Sequence, residues 1–189
     1  MASQRDLFGS DDAIPGFSLV EDAVDAAWEE RLIELIDAAP LEPFKFGQWT
    51  GKRLTASYGS AYDYQRGKVL PAPVLPDWLA ELRDRLAPLA DLDAEALRQA
   101  LLIRYDPGAG IGWHRDRPQY GDVIGLSLGS SATLRLRRRR PDGGFERSSQ
   151  ELAPRSLYRL SGEARHGWEH SIAPMEVTRR SITFRTLAG

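Results

Sequence analysis

Leu101-Leu102-Ile103-Arg104-Tyr105-Asp106-Pro107-Gly108, running on to Trp113-His114-Arg115-Asp116, is the stretch on which the reading of this chain turns. A short apolar run closed by Asp-Pro-Gly reads as a buried strand ended by a turn. The same texture returns at Val123 to Leu128, Ala132 to Arg137, Phe145 to Leu152, Ser156 to Leu160, His170 to Ile172 and Val177 to Thr186. Gly129-Ser130, Pro141-Asp142-Gly143-Gly144 and Ser161-Gly162 break these runs at the spacing of an all-β sandwich or barrel.

Toward the N-terminus the period of the apolar pattern changes. Asp22 is placed to cap a helix in which Val24, Ala27, Trp28, Leu32, Leu35 and Ile36 recur at helical spacing until Pro40. A short strand at Gly16 to Val20 precedes it, and a second helix at Asp77 to Leu86 and a helical piece at Asp93 to Arg98 follow. Between the helices, residues 41–76 interleave Phe44, Phe46, Trp49, Tyr58, Tyr62 and Tyr64 with Lys45, Lys52, Arg53, Arg66 and Lys68. A loop-rich segment of that length inside a compact domain is usually functional or disordered, and its aromatic content argues for function. The expected class is therefore α+β, mainly β, with N-terminal helices buttressing a β core over 99–187. One domain is expected over 14–189, and residues 1–13, which lack periodicity, read as a flexible leader.

The chain has 189 residues, 42% of them hydrophobic and 28% charged, which fits one ordinary globular domain and excludes collagen-like, coiled-coil and wholly disordered classes. No apolar run approaches the roughly 20 residues of a membrane-spanning helix, and the polar N-terminus does not read as a signal peptide. The absence of cysteine leaves only nitrogen and oxygen ligands for a metal and leads us to expect a cytoplasmic protein. A net charge of −2 excludes a globally basic nucleic-acid binder, but not local clusters such as Arg135 and Arg137 to Arg140. That run could track a phosphate backbone or form a solvated hairpin tip.

Of the three histidines, His114 stands two residues before Asp116, and His166 and His170 lie together near the C-terminal end of the β region. Residues two apart on an extended strand point to the same side, so His114 and Asp116 can converge on one ion. Alone, such a pair is most often a surface ion pair. A second imidazole would complete two histidines and one carboxylate, a set with open positions that suits ferrous iron activating oxygen beside a co-substrate. The C-terminal strand strengthens this reading. Arg179, Ser181, Thr183 and Arg185 share one face of it, and Ile182 and Phe184 take the other. Paired guanidiniums and hydroxyls form a poor core but a good cradle for a dicarboxylate.

Five ordered motifs then resemble one family. Arg104-Tyr105-Asp106-Pro107-Gly108, His114-x-Asp116, Ser127-Leu128-Gly129, His170-Ser171-Ile172-x-Pro174 and Arg179 to Arg185 are similar, collinearly across residues 101–187, to the AlkB family of Fe(II)- and 2-oxoglutarate-dependent dioxygenases. The resemblance implies a double-stranded β-helix, or jelly roll, with His114, Asp116 and His170 as iron ligands. It also implies Fe(II), 2-oxoglutarate and O2 as the reactants held by the site. Tyr105 and Arg179 match residues that hold the distal carboxylate of 2-oxoglutarate, Arg185 matches one near its metal-binding end, and Ser181 stands in the same motif. His166 is expected beside the site or at the surface. Arg53 to Tyr64 is similar to the family's nucleotide-recognition lid, which makes Arg53, Tyr58, Tyr62 and Tyr64 the expected substrate contacts.

This chain departs from the repair members at Ile103 and Ser181, where they commonly carry asparagine, and at Arg117-Pro118, where they tend to place an acidic residue. The activity the resemblance implies is hydroxylation of a C–H bond coupled to decarboxylation of 2-oxoglutarate to succinate and CO2. The leading expectation is demethylation of N-alkylated DNA or RNA bases with release of formaldehyde, by a monomer with no membrane partner. Hydroxylation or demethylation of a protein side chain or a tRNA modification is the alternative on the same scaffold. A jelly roll that binds nucleic acid without catalysis is the reading from another class.

Overall fold

The computed structural model describes residues 14–46, 48–63 and 66–189, so the expected leader at 1–13 and Tyr64 lie outside the described residues, as do the side chains of Phe46 and Trp49. In chain order the elements are β1 (Phe17–Val20), α1 (Ala26–Asp37), β2 (Glu42–Phe46), β3 (Trp49–Tyr58), β4 (Ser60–Asp63), β5 (Lys68–Pro71) and α2 (Asp77–Leu86). There follow β6 (Leu97–Tyr105), β7 (Ile111–His114), β8 (Tyr120–Leu128), β9 (Ala132–Arg139), β10 (Phe145–Leu152), β11 (Leu157–Leu160), α3 (Gly162–His166), β12 (Glu169–Ile172) and β13 (Arg179–Leu187).

Two antiparallel sheets face each other, as in a jelly roll. The larger has the order β1-β11-β8-β13-β6-β3-β2, the smaller β10-β9-β12-β7, and β4 and β5 form a separate pair. Strand alternation assigns the two faces of the large sheet different partners. Leu102, Ile124, Leu126, Ile182 and Phe184 pack outward in one apolar cluster with Leu32 and Ile36 of α1 and Leu79, Leu82 and Leu86 of α2. Full burial of each such side chain contributes about 1.5–3 kcal/mol, and this cluster clamps the helices to the sheet. Between the sheets, Val123 and Leu160 meet Leu134, Leu136, Leu152 and Ile172 and close one end of the sandwich. The rest of the inner face of β13 and its neighbours is polar and buried, carrying Gln99, Ser127, Arg179, Ser181 and Thr183.

The structure corrects several local expectations. The cap of α1 is Asp25, whose carboxylate accepts from the Trp28 N–H at 2.8 Å. Asp22 instead adopts a left-handed backbone, φ 49°, and accepts from Arg155. Residues 41–76 are not mainly loop, because four strands run through them and β2 and β3 extend the large sheet. Their period-two signal is masked because β3 is mixed on both faces: Arg53, Thr55 and Ser57 line a cavity, while Ala56 and Tyr58 pack toward the helices. The helical piece near Asp93 shrinks to a single 3-10 turn, Ala94–Ala96. Neither β7 nor α3 has an apolar period of its own to announce it.

Candidate metal and co-substrate site

Pairing between β12 and β7 sets His170 opposite His114, with ring centroids 4.3 Å apart. Asp116 follows β7 by two residues, and one ligand atom from each of His114, Asp116 and His170 lies within 4.8 Å of the others. The Nδ1 of His114 is 2.8 Å from the Gly112 carbonyl oxygen. A carbonyl only accepts, so Nδ1 carries the proton and Nε2 turns its lone pair inward, 3.7 Å from Asp116 Oδ1. Asp116 Oδ2 is occupied, accepting from Arg185 Nε at 2.9 Å, so Oδ1 is the oxygen presented to an ion.

Electrostatics favour the ligating forms of Asp116 and His170. Burial by itself would raise the Asp116 pKa, but the neighbouring positive charge, that of Arg185 first, overcomes it and keeps the carboxyl well below its usual range. Burial, reinforced by the neighbouring His114, pushes His170 down to about 3, which leaves it a neutral nitrogen donor. Two imidazole nitrogens and a carboxylate oxygen converging at one point fit the donor set of ferrous iron.

Arg179 tests the fit of the co-substrate. It is 1% exposed, donates from Nε to Ser127 Oγ at 3.1 Å and lies with its guanidinium carbon 5.3 Å from the Tyr105 ring. Its Nη1 is buried with no hydrogen-bond partner, and no carboxylate among the described residues pairs with it. A buried guanidinium with an orphaned donor is costly unless a carboxylate arrives from outside, which is what the distal end of 2-oxoglutarate offers. Ser181 lies on the same face, in register with Ser127 on one side and Ile103 on the other. Ile103 is buried against Tyr105 and Ala109 and contributes an apolar wall, with no side-chain hydrogen bond to offer.

Arg185 stands beside the metal-ligand set. Its guanidinium donates to Asp116 and, at 2.7 Å, to Gln99 Oε1, so it orients a ligand carboxylate. A cavity of about 770 Å³ opens over His114, Asp116 and Arg185 and is rimmed by Phe44, Arg53, Tyr62, Trp113 and Arg117. Arg53 stands 3.7 Å over the Phe44 ring and Arg117 5.0 Å over Tyr62. Tyr58 is not brought to this cavity, because its position in β3 turns it to the helix-facing side. His166 is exposed, and its carbonyl accepts from Arg115 at 3.1 Å.

Gln99, Arg165 and Tyr158 escape sequence reasoning, and Ser127, which stands in one of the five motifs, is given no role there. Ser127 and Gln99 become partners of Arg179 and Arg185 only through strand register. Arg165 is buried and donates to the carbonyls of Arg117, Tyr120 and Gly121 at 2.7–2.8 Å, clamping the segment that follows Asp116. Tyr158 lies in register with Gly125, and a Cβ at Gly125 would come within 2.4 Å of its ring. Burial pushes its phenol up to about 12, with Arg179, Tyr105, Asp116 and Arg185 as the charged or titrating groups around it. The glycine in an otherwise apolar run, Val123 to Leu128, is the signal that marked this close approach.

Comparisons with known proteins agree with this geometry. The profile of the 2OG-Fe(II) oxygenase superfamily matches residues 39–185. An uncharacterized protein, L905, of Acanthamoeba polyphaga mimivirus is 28% identical over 91% of this chain and 85% of its own length. The alkylated DNA repair protein ALKBH8 homolog of Arabidopsis thaliana is 28% identical over 88% of this chain, and the probable RNA/DNA demethylase ALKBH6 of Danio rerio 31% identical over 65%. The chain spans about half the length of these last two, 53% and 50%. Among solved structures, OsALKBH1 superposes with a TM-score of 0.69 at 14% identity, covering 93% of this chain and 99% of its own. A prolyl-4-hydroxylase of Pseudomonas putida follows at 0.63 and 19%, covering 92% and 93%. With the metal-ligand geometry, the orphaned arginine and the family match in agreement, the chain belongs to the 2OG-Fe(II) oxygenase superfamily and is a dioxygenase of AlkB type.

Proposed function

We propose that this dioxygenase removes N-alkyl groups from nucleic-acid bases. The observation that carries the reading is the cavity over His114 and Asp116, whose rim pairs cations with aromatic rings: Arg53 with Phe44 and Arg117 with Tyr62. Rings can stack on a base drawn out of its strand, and guanidiniums can meet the flanking phosphates. His114, Asp116 and His170 would hold the iron, and Arg179 would take the distal carboxylate of 2-oxoglutarate beside Tyr105. Bound together, iron, 2-oxoglutarate and O2 supply hydroxylation of a C–H bond, with succinate and CO2 as by-products.

The chain's own residues position that chemistry. Arg185 keeps Asp116 ionised and turned toward the metal, and Gln99 steadies Arg185. Ile103 and Leu101 give the cavity apolar wall beside the polar floor of β13. A hydroxymethyl group on nitrogen is a hemiaminal, which collapses to formaldehyde and the unmodified N–H. The ALKBH8 proteins of Mus musculus and Xenopus tropicalis, named as tRNA (carboxymethyluridine(34)-5-O)-methyltransferases, are 28% and 29% identical, and the chain spans 24% and 25% of them. Arg117 at the rim favours a second reading, in which the modified base carries an anionic substituent.

The test follows 1-methyladenine and 3-methylcytosine in DNA and RNA oligonucleotides by mass spectrometry, with Fe(II), ascorbate and 2-oxoglutarate, against His114→Ala. Loss of the methyl group with the native chain alone is the expected result. Succinate formation without methyl loss would reject this substrate and move the search to modified tRNA, then to protein side chains.

A further inference from the structure

The outer face of the small sheet carries a strip that the catalytic site does not use. Alternation puts Leu134 and Leu136 of β9 into the interior and Arg135, Arg137 and Arg139 outside, and register sets Phe145 opposite Arg139 and Arg147 opposite Arg137. These arginines are not randomly solvated. Arg135 and Arg137 lie 5.2 and 4.4 Å from the Trp113 ring, and Arg137, Arg139 and Arg147 lie 4.3, 5.5 and 5.4 Å from the Phe145 ring. Trp113 also lines the cavity, so cations and rings run without a break from the mouth of the site to the β9–β10 hairpin.

We propose that this strip docks the sugar–phosphate backbone of the nucleic-acid strand whose target base enters the cavity, an inference that rests on the nucleic-acid reading above. Charge argues for it. Of the four outward arginines, only Arg137 reaches a carboxylate among the described residues, Glu169 at 2.6 Å, so the face is cationic on a chain of net charge −2. Arg138, on the opposite side of the strand, is bound to both Glu146 and Glu163 and takes no part. Arg135 finds no hydrogen-bond partner for its Nε among the described residues.

Spacing argues for it too. A strand rises about 3.4 Å per residue, so alternate arginines stand about 7 Å apart, a spacing that successive phosphates of an extended single strand can meet. Aromatic rings interleaved with cations are the pattern that holds single strands without reading sequence. A membrane is a poorer occupant, since the exposed large hydrophobic residues, Val74, Val177 and Leu187, lie on other segments.

The experiment measures binding of unmodified single-stranded RNA and DNA oligonucleotides to the full chain, kept anaerobic with Fe(II) and 2-oxoglutarate, by fluorescence anisotropy across a salt series. Arg139→Gln with Arg147→Gln is compared with Arg31→Gln, which removes a charge from the exposed face of α1. Each phosphate contact on a single strand adds about 0.7 to the slope of log K against log salt, so the double variant should lose about 1.4 and bind about 10- to 30-fold more weakly at 0.1 M salt. Arg31→Gln should bind as the native chain does, and melting temperatures should show all variants folded. Equal slopes for native chain and double variant, or preferential binding of an acidic peptide or of anionic vesicles, would overturn the strip. Demethylation of methylated oligonucleotides with equal slopes would sink the strip and keep the demethylase. Strip-dependent binding without demethylation would do the reverse.

Discussion

Arg179 holds a charge where water does not reach it, with one of its nitrogens unmatched. Burial lowers its pKa, and only the phenols of Tyr105 and Tyr158 push the other way. Replacing an uncompensated buried cation with an apolar side chain of similar length removes a desolvation cost. Arg179→Met should therefore leave the melting temperature of the ligand-free chain unchanged or higher, while abolishing the shift produced by 2-oxoglutarate. A lowered ligand-free melting temperature with the 2-oxoglutarate shift intact would overturn the role given to Arg179. Arg185 behaves oppositely, because its partner Asp116 is itself buried. Arg185→Met strands a carboxylate and should cost about 3–5 kcal/mol in chemical denaturation, part of it recovered on adding a divalent metal that restores a positive charge. At this scale His114, Asp116, His170, Arg179 and Arg185 stood out in the sequence because their residue types sit badly in a core. The roles of Ser127 and Gln99 did not, because a serine or glutamine gains its meaning only from the guanidinium that register sets beside it.

At the scale of the element, β13 was legible because its two faces differ so sharply in polarity. The alternation predicted which residues face the helices and which face the site. Residues 41–76 misled for the converse reason, since β3 presents Arg53, Thr55 and Ser57 to a solvated cavity, so no clean apolar stripe forms. Tyr58 illustrates the cost of that ambiguity, since its register opposite Ala100 assigns it to the core layer. The crossing of β8 and β11 yields a further prediction. Gly125→Ala must displace the Tyr158 ring and should destabilise the chain by about 1–3 kcal/mol. In a double-mutant cycle with Tyr158→Ala the loss should be largely recovered, giving a coupling of about 0.5–3 kcal/mol, and additive effects would show that the two do not meet.

At the scale of the whole molecule, segments far apart in sequence complete one sheet: β1 pairs with β11, β3 with β6, and β13 lies between β6 and β8. The candidate metal ligands come from β7, the segment after it and β12, and Arg179 from β13, so binding of metal and co-substrate across them should stabilise the fold as a unit. Anaerobic Fe(II) with 2-oxoglutarate at about 100 times Kd should add about 2.7 kcal/mol, or about 5–10 °C in Tm for a domain of this size, and His114→Ala should lose that gain. What the sequence by itself determined was the class of fold, the donor set and the polar face of the last strand, because each is written in residue type and in a local period of two. What only the tertiary structure decided was which serine steadies Arg179, which oxygen of Asp116 is left for the metal, that Tyr58 faces the core, and that the arginine run lines up with Trp113 at the cavity mouth. Those follow from register between strands distant in the chain, and the apolar pattern settles which face of a strand is buried without saying which partner it will meet.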